Sequence, residues 1–236
     1  MVWCIAALFL LEILVEAEQL SRFWGFMEKL IIIGAGGYSK SVLDSIDYYN
    51  YRIKGFLDEF TNEKEHLGYP VMWRSLDAIE NPEIYFYFIA IGNNERRKIW
   101  FDRLMNRELR LINVVDKSAI ISHEAKIGTG CFFGKMSVVN SKSVIGNNCI
   151  INTKSLVEHG CIVHSHANIS TNAVINGDVE IGEGTFVGSC SVTIGQKRIG
   201  NWSTVGAGAV VISNVGDNVT VAGIPAKVIK EGAMLG

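Results

Sequence analysis

Disulfide spacing is missing from this chain: its five cysteines close no paired loops, and Cys131 and Cys149 lie eighteen residues apart. That excludes a small cystine-stapled scaffold and favours a reducing cytoplasm. Excess charge is missing too. Lys and Arg number 22 against 24 Asp and Glu, a formal net charge of -2, which leaves no basic footprint for nucleic acid. A long apolar run is also absent, because the stretch from Val2 to Leu11 is interrupted at Glu12 and followed by Glu16 and Glu18. It is too short to span a bilayer, and no Lys or Arg precedes it as a secretory signal requires; the first basic residue is Arg22. Residues 1–26 therefore read as an extension of uncertain role, with Met27 as the start of the folded protein. Any membrane association is confined to that extension. Proline is scarce, three residues against 24 glycines, as suits a chain rich in tight turns.

What is present in abundance is a six-residue repeat. Every sixth residue from Val115 to Val211 is a large hydrophobe, including Ile127, Phe133, Ile151, Val163, Ile181 and Val205, and only Thr193 departs. Four residues after each comes a small one, among them Ala119, Cys131, Cys149, Ser155, Cys161, Ala173 and Ser203. A period of six matches neither the 3.6 of a helix nor the alternation of a strand, so it predicts a solenoid that turns corners at fixed intervals. Three hexads make one triangular coil, with the large residue filling each face and the small one fitting each corner.

The preceding segment has another rhythm. Leu30 to Ile33 reads as a buried strand running into Gly34-Ala35-Gly36-Gly37, followed by a helix from Tyr38 to Tyr49. Strands are expected at Ile53–Leu57, Ile84–Ile91 and Leu111–Val115, with an Arg- and Lys-rich helix from Glu95 to Met105. Alternating strands and helices predict a small Rossmann-like parallel α/β sheet. The expected organisation is residues 1–26 as extension, 27–115 as α/β domain, 116–215 as solenoid and 216–236 as a capping tail, with 116–118 as the hinge.

Two constellations carry chemistry. Gly34, Gly36 and Gly37 at a strand end let backbone N–H groups approach a phosphate, although the third glycine of the dinucleotide fingerprint would fall at Ser39. A nucleotide diphosphate is thus favoured over NAD. Asp58 is placed for a ribose or base contact, and Gly92-Asn93-Asn94 ends another strand on the same edge. The second constellation is the run from Glu158 to His166. The repeat's phase puts His159, His164 and His166 outside the core columns and Cys161 inside, and the spacing is no standard zinc pattern. No metal is expected.

These features together resemble the hexapeptide-repeat, left-handed β-helix acyltransferases. Gly34-Ala35-Gly36-Gly37, Gly55-Phe56-Leu57-Asp58-Glu59, Ile89-Ala90-Ile91-Gly92-Asn93-Asn94 and Gly223-Ile224-Pro225-Ala226-Lys227 resemble the branch containing bacillosamine (UDP-4-amino-sugar) N-acetyltransferases and sialic-acid O-acetyltransferases. The resemblance implies an acetyl-CoA-dependent enzyme of bacterial surface-glycan biosynthesis, acting on an amino group of a UDP-linked sugar. Transfer to a sugar hydroxyl, and a catalytically weak nucleotide-sugar-binding protein, are the alternatives. It implies a cytoplasmic homotrimer with acetyl-CoA, a co-substrate, bound between solenoids.

The family's histidine base matches His159 within Val157-Glu158-His159-Gly160-Cys161. An acid usually follows that histidine, where this chain has Gly160, so Glu158 or a neighbouring subunit is expected to substitute. A second family histidine corresponds to Asn168. The resemblance assigns acetyl-CoA contacts to Asn168, Gly177, Ser189, Ala207 and Gly208. It assigns nucleotide-sugar contacts to Gly36, Gly37, Tyr38, Asp58, Glu59 and Gly92.

Overall fold

The computed structural model describes residues 27–231; the N-terminal extension lies outside the described residues. The α/β domain comprises β1 (Glu28–Ile33), α1 (Tyr38–Ser45), β2 (Tyr51–Leu57), β3 (Glu65–His66), β4 (Tyr69–Trp73), β5 (Phe86–Ile89), α2 (Asn94–Met105) and β6 (Arg110–Leu111). The sheet order is β3-β4-β2-β1-β5-β6, parallel except for the β3–β4 hairpin. Leu30 to Ile33 are at most 1% exposed, as befits the central strand of a sheet covered on both faces. Their alternation decides what covers each face. Leu30 and Ile32 pack with Val42, Phe56 and Phe88 and with Phe132 and Ile150 of the solenoid; Ile31 and Ile33 pack with Leu57, Trp100, Phe101 and Leu104.

Some boundaries differ from expectation. The first helix stops at Ser45, where Ile46 turns extended, and Pro82–Ile84 forms one tight 3-10 turn that delays β5 to Phe86. The expected strand from Leu111 to Val115 is divided. Arg110–Leu111 closes the α/β sheet, whereas Val114–Val115 is already the first rung of the solenoid, in register with Phe132–Phe133. Asp116 begins the segment expected as the hinge. It is buried and accepts hydrogen bonds from Ser45 Oγ (2.8 Å), Ser118 Oγ (2.6 Å) and Lys135 Nζ (3.0 Å). Burial alone would raise its carboxyl, but these donors outweigh it and hold the group well below the ordinary range.

The solenoid has three faces. The first stacks Val114, Phe132, Ile150, Asn168, Phe186 and Thr204 as outward residues, the second Ile120, Val138, Leu156, Val174, Val192 and Val210, and the third Lys126, Val144, Ile162, Glu180 and Arg198. The following residue of each pair points inward. At the corners a left-handed residue recurs every sixth position from Gly130 to Gly208, including Asn148, Gly160, His166, Asp178 and Gly184. Each such turn costs a non-glycine residue roughly 1 kcal/mol, offset by coil-to-coil hydrogen bonds and a buried column of Val and Ile. Cys131, Cys149 and Cys161 lie inside, as the phase requires. The α/β domain covers the first face where Phe132 and Ile150 lie. At the far end Val219–Ala222 joins the first face and pairs antiparallel with Lys227–Glu231, while Ala226 donates its N–H to Val210 and packs against the core. This hairpin closes the last coil.

Candidate functional site

At the carboxyl ends of β1, β2 and β5 lies a cavity of about 560 Å³, where open parallel sheets bind ligands. Gly36, Gly37, Tyr38, Asp58, Glu59 and Gly92, all six residues expected to hold the nucleotide sugar, line it. The glycines divide by physical role. Gly34 has φ +101°, and a Cβ there would lie 2.8 Å from Ile91 Cγ1, so it serves the turn. A Cβ on Gly36, Gly37 or Gly92 would meet nothing within 4 Å; these three open the backbone to the cavity.

The polar residues differ in how free they are. Asp58 accepts from the N–H groups of Ala35 (2.8 Å), Phe60 (2.8 Å) and Thr61 (2.9 Å), so its carboxylate fastens the glycine turn to the loop after β2. Burial would raise its pKa, yet these donors and Arg74 bring it below the ordinary value. Glu59 pairs with Arg103 at 2.8 Å, and that guanidinium also lies over Trp100. Tyr38 also lines the cavity. Its hydroxyl is buried without a partner, its ring meets Phe132 edge-on, and burial pushes its pKa upward. Arg96, which sequence reasoning placed in a basic helix without a task, also lines the cavity. It lies over Phe60 and has no carboxylate partner among the described residues.

Arg97, next along α2, faces the solenoid and is 1% exposed. Its guanidinium donates to the carbonyls of Asn148 (3.1 Å), His166 (2.8 Å), Ile91 (3.2 Å) and Gly92 (3.1 Å) and to Asn94 Oδ1 (2.9 Å). His166 is consequently no surface imidazole. The phase does place it outside the coil, but α2 covers that corner, leaving it 5% exposed against Phe101, with Nδ1 accepting from Asn148 Nδ2 at 2.9 Å. His164 remains exposed and pairs with Glu180 at 2.9 Å. The expected row of three outer imidazoles is thus broken up by the docked domain.

His159 sits exposed at the corner between the second and third faces. Its ring lies across Gly177 of the next coil, where a Cβ would come within 2.6 Å of Cε1 and 2.8 Å of Nε2. Gly177 thus makes room for the imidazole. Glu158 accepts the backbone N–H of His159 at 3.3 Å rather than a ring nitrogen. Ser189, Ala207 and Gly208 stand at the other edge of the second face, and a Cβ on Gly208 would meet nothing within 4 Å. Asn168 lies apart on the first face, 6% exposed, with Oδ1 buried and unpartnered. Two coils before His159 the same corner carries Ile121-Ser122-His123-Glu124-Ala125, the same motif with its acid present, which sequence reasoning passed over. There Glu124 is already engaged by Ser141 Oγ. Among the described residues no group of three or more His, Cys, Asp or Glu is arranged to hold a metal ion. No helix among them is long and apolar enough to cross a membrane.

The family described as the PglD N-terminal domain matches residues 29–104. The chain is 32% identical to the acetyltransferase domain of PglB from Neisseria gonorrhoeae FA1090, over 86% of this chain and 100% of that one, with a TM-score of 0.81. It is 28% identical to PerB from Caulobacter crescentus, in complex with CoA and GDP-perosamine, over 86% of this chain and 97% of that one, with a TM-score of 0.78. A serine acetyltransferase from Buchnera aphidicola subsp. Acyrthosiphon pisum is 35% identical over 51 residues, 22% of this chain and 19% of that one. The chain thus spans about a fifth of that curated relative.

Proposed function

We propose, for a chain that belongs to the hexapeptide-repeat, left-handed β-helix acyltransferases in the branch of the bacillosamine N-acetyltransferases, that it moves an acetyl group from acetyl-CoA to the amine of a nucleotide-linked 4-amino sugar. The observation that carries this reading is the coincidence of all six expected nucleotide-sugar residues in one cavity. PerB, of similar fold, holds CoA together with GDP-perosamine. A UDP sugar is the form proposed for this chain. Arg96 supplies an uncommitted cation for a diphosphate, and Phe60 an apolar face beside it.

His159 acts as the general base. As the amine nitrogen attacks the acetyl carbonyl carbon, the imidazole takes the proton that the nitrogen gives up, the carbon–sulfur bond breaks and the CoA thiol leaves. Positioned general bases of this kind contribute roughly 10²–10⁴ in rate. The open backbone at Ala207 and Gly208, with Ser189, fits an acetyl-CoA chain laid along the second face.

Within one protomer, base and cavity are separated. The domain that holds the cavity docks on the first face, and His159 occupies the corner opposite that face. The outward residues of the second face, beside His159, are aliphatic throughout, Ile120 being 64% exposed. A homotrimer in which that face is covered by a neighbour brings His159 of one protomer to the cavity of the next. The test is thiol release from acetyl-CoA offered UDP- and GDP-linked 4-amino sugars, alongside calorimetry with UDP and GDP. Release that depends on an amino sugar, with UDP bound more tightly than GDP, is expected. Release only with hydroxyl acceptors, or none at all, contradicts the reading.

A further inference from the structure

Ser39 stands where the third glycine of the dinucleotide fingerprint would fall, and it is fully buried. Its Oγ makes two contacts. It donates to the carbonyl oxygen of Gly36 at 2.7 Å, and it lies 2.8 Å from Nε2 of His66, the last residue of β3. A carbonyl can only accept, so the one hydroxyl hydrogen is spent on Gly36, and the second contact needs a hydrogen on the ring. His66 Nε2–H therefore donates to Ser39 Oγ. This direction is the reverse of a nucleophile with its base, in which the hydroxyl gives its hydrogen to the imidazole.

The imidazole is held from the hairpin side. It meets Phe56 of β2 edge-on at 5.0 Å, its side chain is 13% exposed, and Glu63 lies 3.9 Å from Nδ1, beyond hydrogen-bond reach. The Ser39 N–H adds a second donor to the Gly36 carbonyl, at 3.2 Å. In a planar trans peptide the carbonyl and the following N–H point opposite ways. Two donors that hold the Gly36 carbonyl toward Ser39 thus turn the Gly37 N–H away from it, on a stretch of backbone that lines the cavity. Asp58 takes the N–H of Ala35, whereas those of Gly36 and Gly37 have no acceptor among the described residues.

We propose that His66 is a positioning residue for the nucleotide site: acting through the Ser39 hydroxyl, it fixes the Gly36–Gly37 peptide with its N–H turned out to receive the diphosphate. This rests on the reading of the cavity as a nucleotide-diphosphate site. His66 itself does not line the cavity, so its effect reaches the ligand through Ser39. With the ring N–H donating to the hydroxyl oxygen, the hydroxyl hydrogen is directed to Gly36. Without that donor, Ser39 Oγ is a buried acceptor left unsatisfied, and the glycine turn loses the contact that sets its peptide plane.

The experiment is calorimetry of the intact protein with UDP and with uridine, which has the base and ribose but no phosphate. His66→Phe, which keeps an aromatic ring beside Phe56 and removes the donor, is expected to weaken UDP about five- to tenfold and to leave uridine unchanged. His66→Gln, whose amide nitrogen can donate, is expected to recover most of the loss. Ser39→Ala is expected to weaken UDP as His66→Phe does, and the two substitutions together to weaken it no further. Ring-nitrogen NMR of the wild type, which needs no variant, is expected to show the hydrogen on Nε2. Hydrogen on Nδ1 alone, equal weakening of UDP and uridine, or unchanged UDP affinity in His66→Phe overturns the positioning role and leaves the cavity reading standing. If the wild type binds neither UDP nor GDP, the cavity reading falls and the proposal falls with it.

Discussion

Arg97 Nη2 donates to the carbonyl oxygen of His166 at 2.8 Å, joining the second helix of the α/β domain to a corner of the solenoid. The same guanidinium holds the carbonyls of Ile91 and Gly92, the latter at the rim of the nucleotide cavity. Burial lowers its pKa, and it remains a buried cation served by carbonyls rather than by a carboxylate. Removing it leaves those acceptors unsatisfied. Arg97→Ala is expected to cost about 3–5 kcal/mol in urea unfolding and to weaken UDP binding. Arg97→Lys, a point charge without the planar fork, is expected to recover only part of either. Unchanged stability in Arg97→Ala would show that the domains are held together elsewhere.

His166 makes the fold sensitive to acid. Burial, then the nearby Lys98 and Arg97, brings its pKa down from 6.5 to about 4. Between those values the unfolded chain binds a proton that the folded one refuses. Its contribution is therefore full above about pH 6.5 and is lost as pH falls toward 4, by on the order of 2–3 kcal/mol. Urea midpoints measured from pH 7.5 to 4.5 are expected to fall more steeply in the wild type than in His166→Asn, whose side chain tolerates the left-handed backbone. Parallel pH curves would remove His166 from this role.

Thr193 is the one polar residue in the inward column, fully buried, with Oγ1 unpartnered. Thr193→Val keeps the shape and removes the stranded hydroxyl. A gain of about 1 kcal/mol in unfolding free energy is expected. A loss instead would mean that the hydroxyl is satisfied in solution.

Much of this was legible because the repeat fixes phase. Counting by six puts Cys131, Cys149 and Cys161 inside and His159 outside, and the glycine-rich strand ends mark the cavity. The phase could not show what covers an outward residue. His166 obeys the repeat yet is buried, because the docking of α2 is a tertiary event. Tyr38 lines the cavity as expected, but its hydroxyl is buried without a partner, which the repeat and the glycine turn could not show. The β3–β4 hairpin was invisible because its two-residue β3 and Pro70 carry no alternating pattern.

If the site is shared between protomers, two dead variants can rescue each other. Gly92→Trp fills the cavity and leaves His159 intact, whereas His159→Ala leaves the cavity intact. Each alone is expected to be nearly inactive. Mixed and reassembled in equal amounts as trimers, they are expected to regain about a quarter of wild-type sites, given random assembly. Absence of rescue in verified mixed trimers would place base and cavity in the same protomer.

The most direct measurement is kcat/KM for acetyl transfer from acetyl-CoA to a UDP-linked 4-amino sugar, in wild type and in correctly assembled His159→Ala. A fall of roughly 10²–10⁴, leaving a slow residual rate, is predicted. An unchanged kcat/KM would contradict the assignment of His159 as the base.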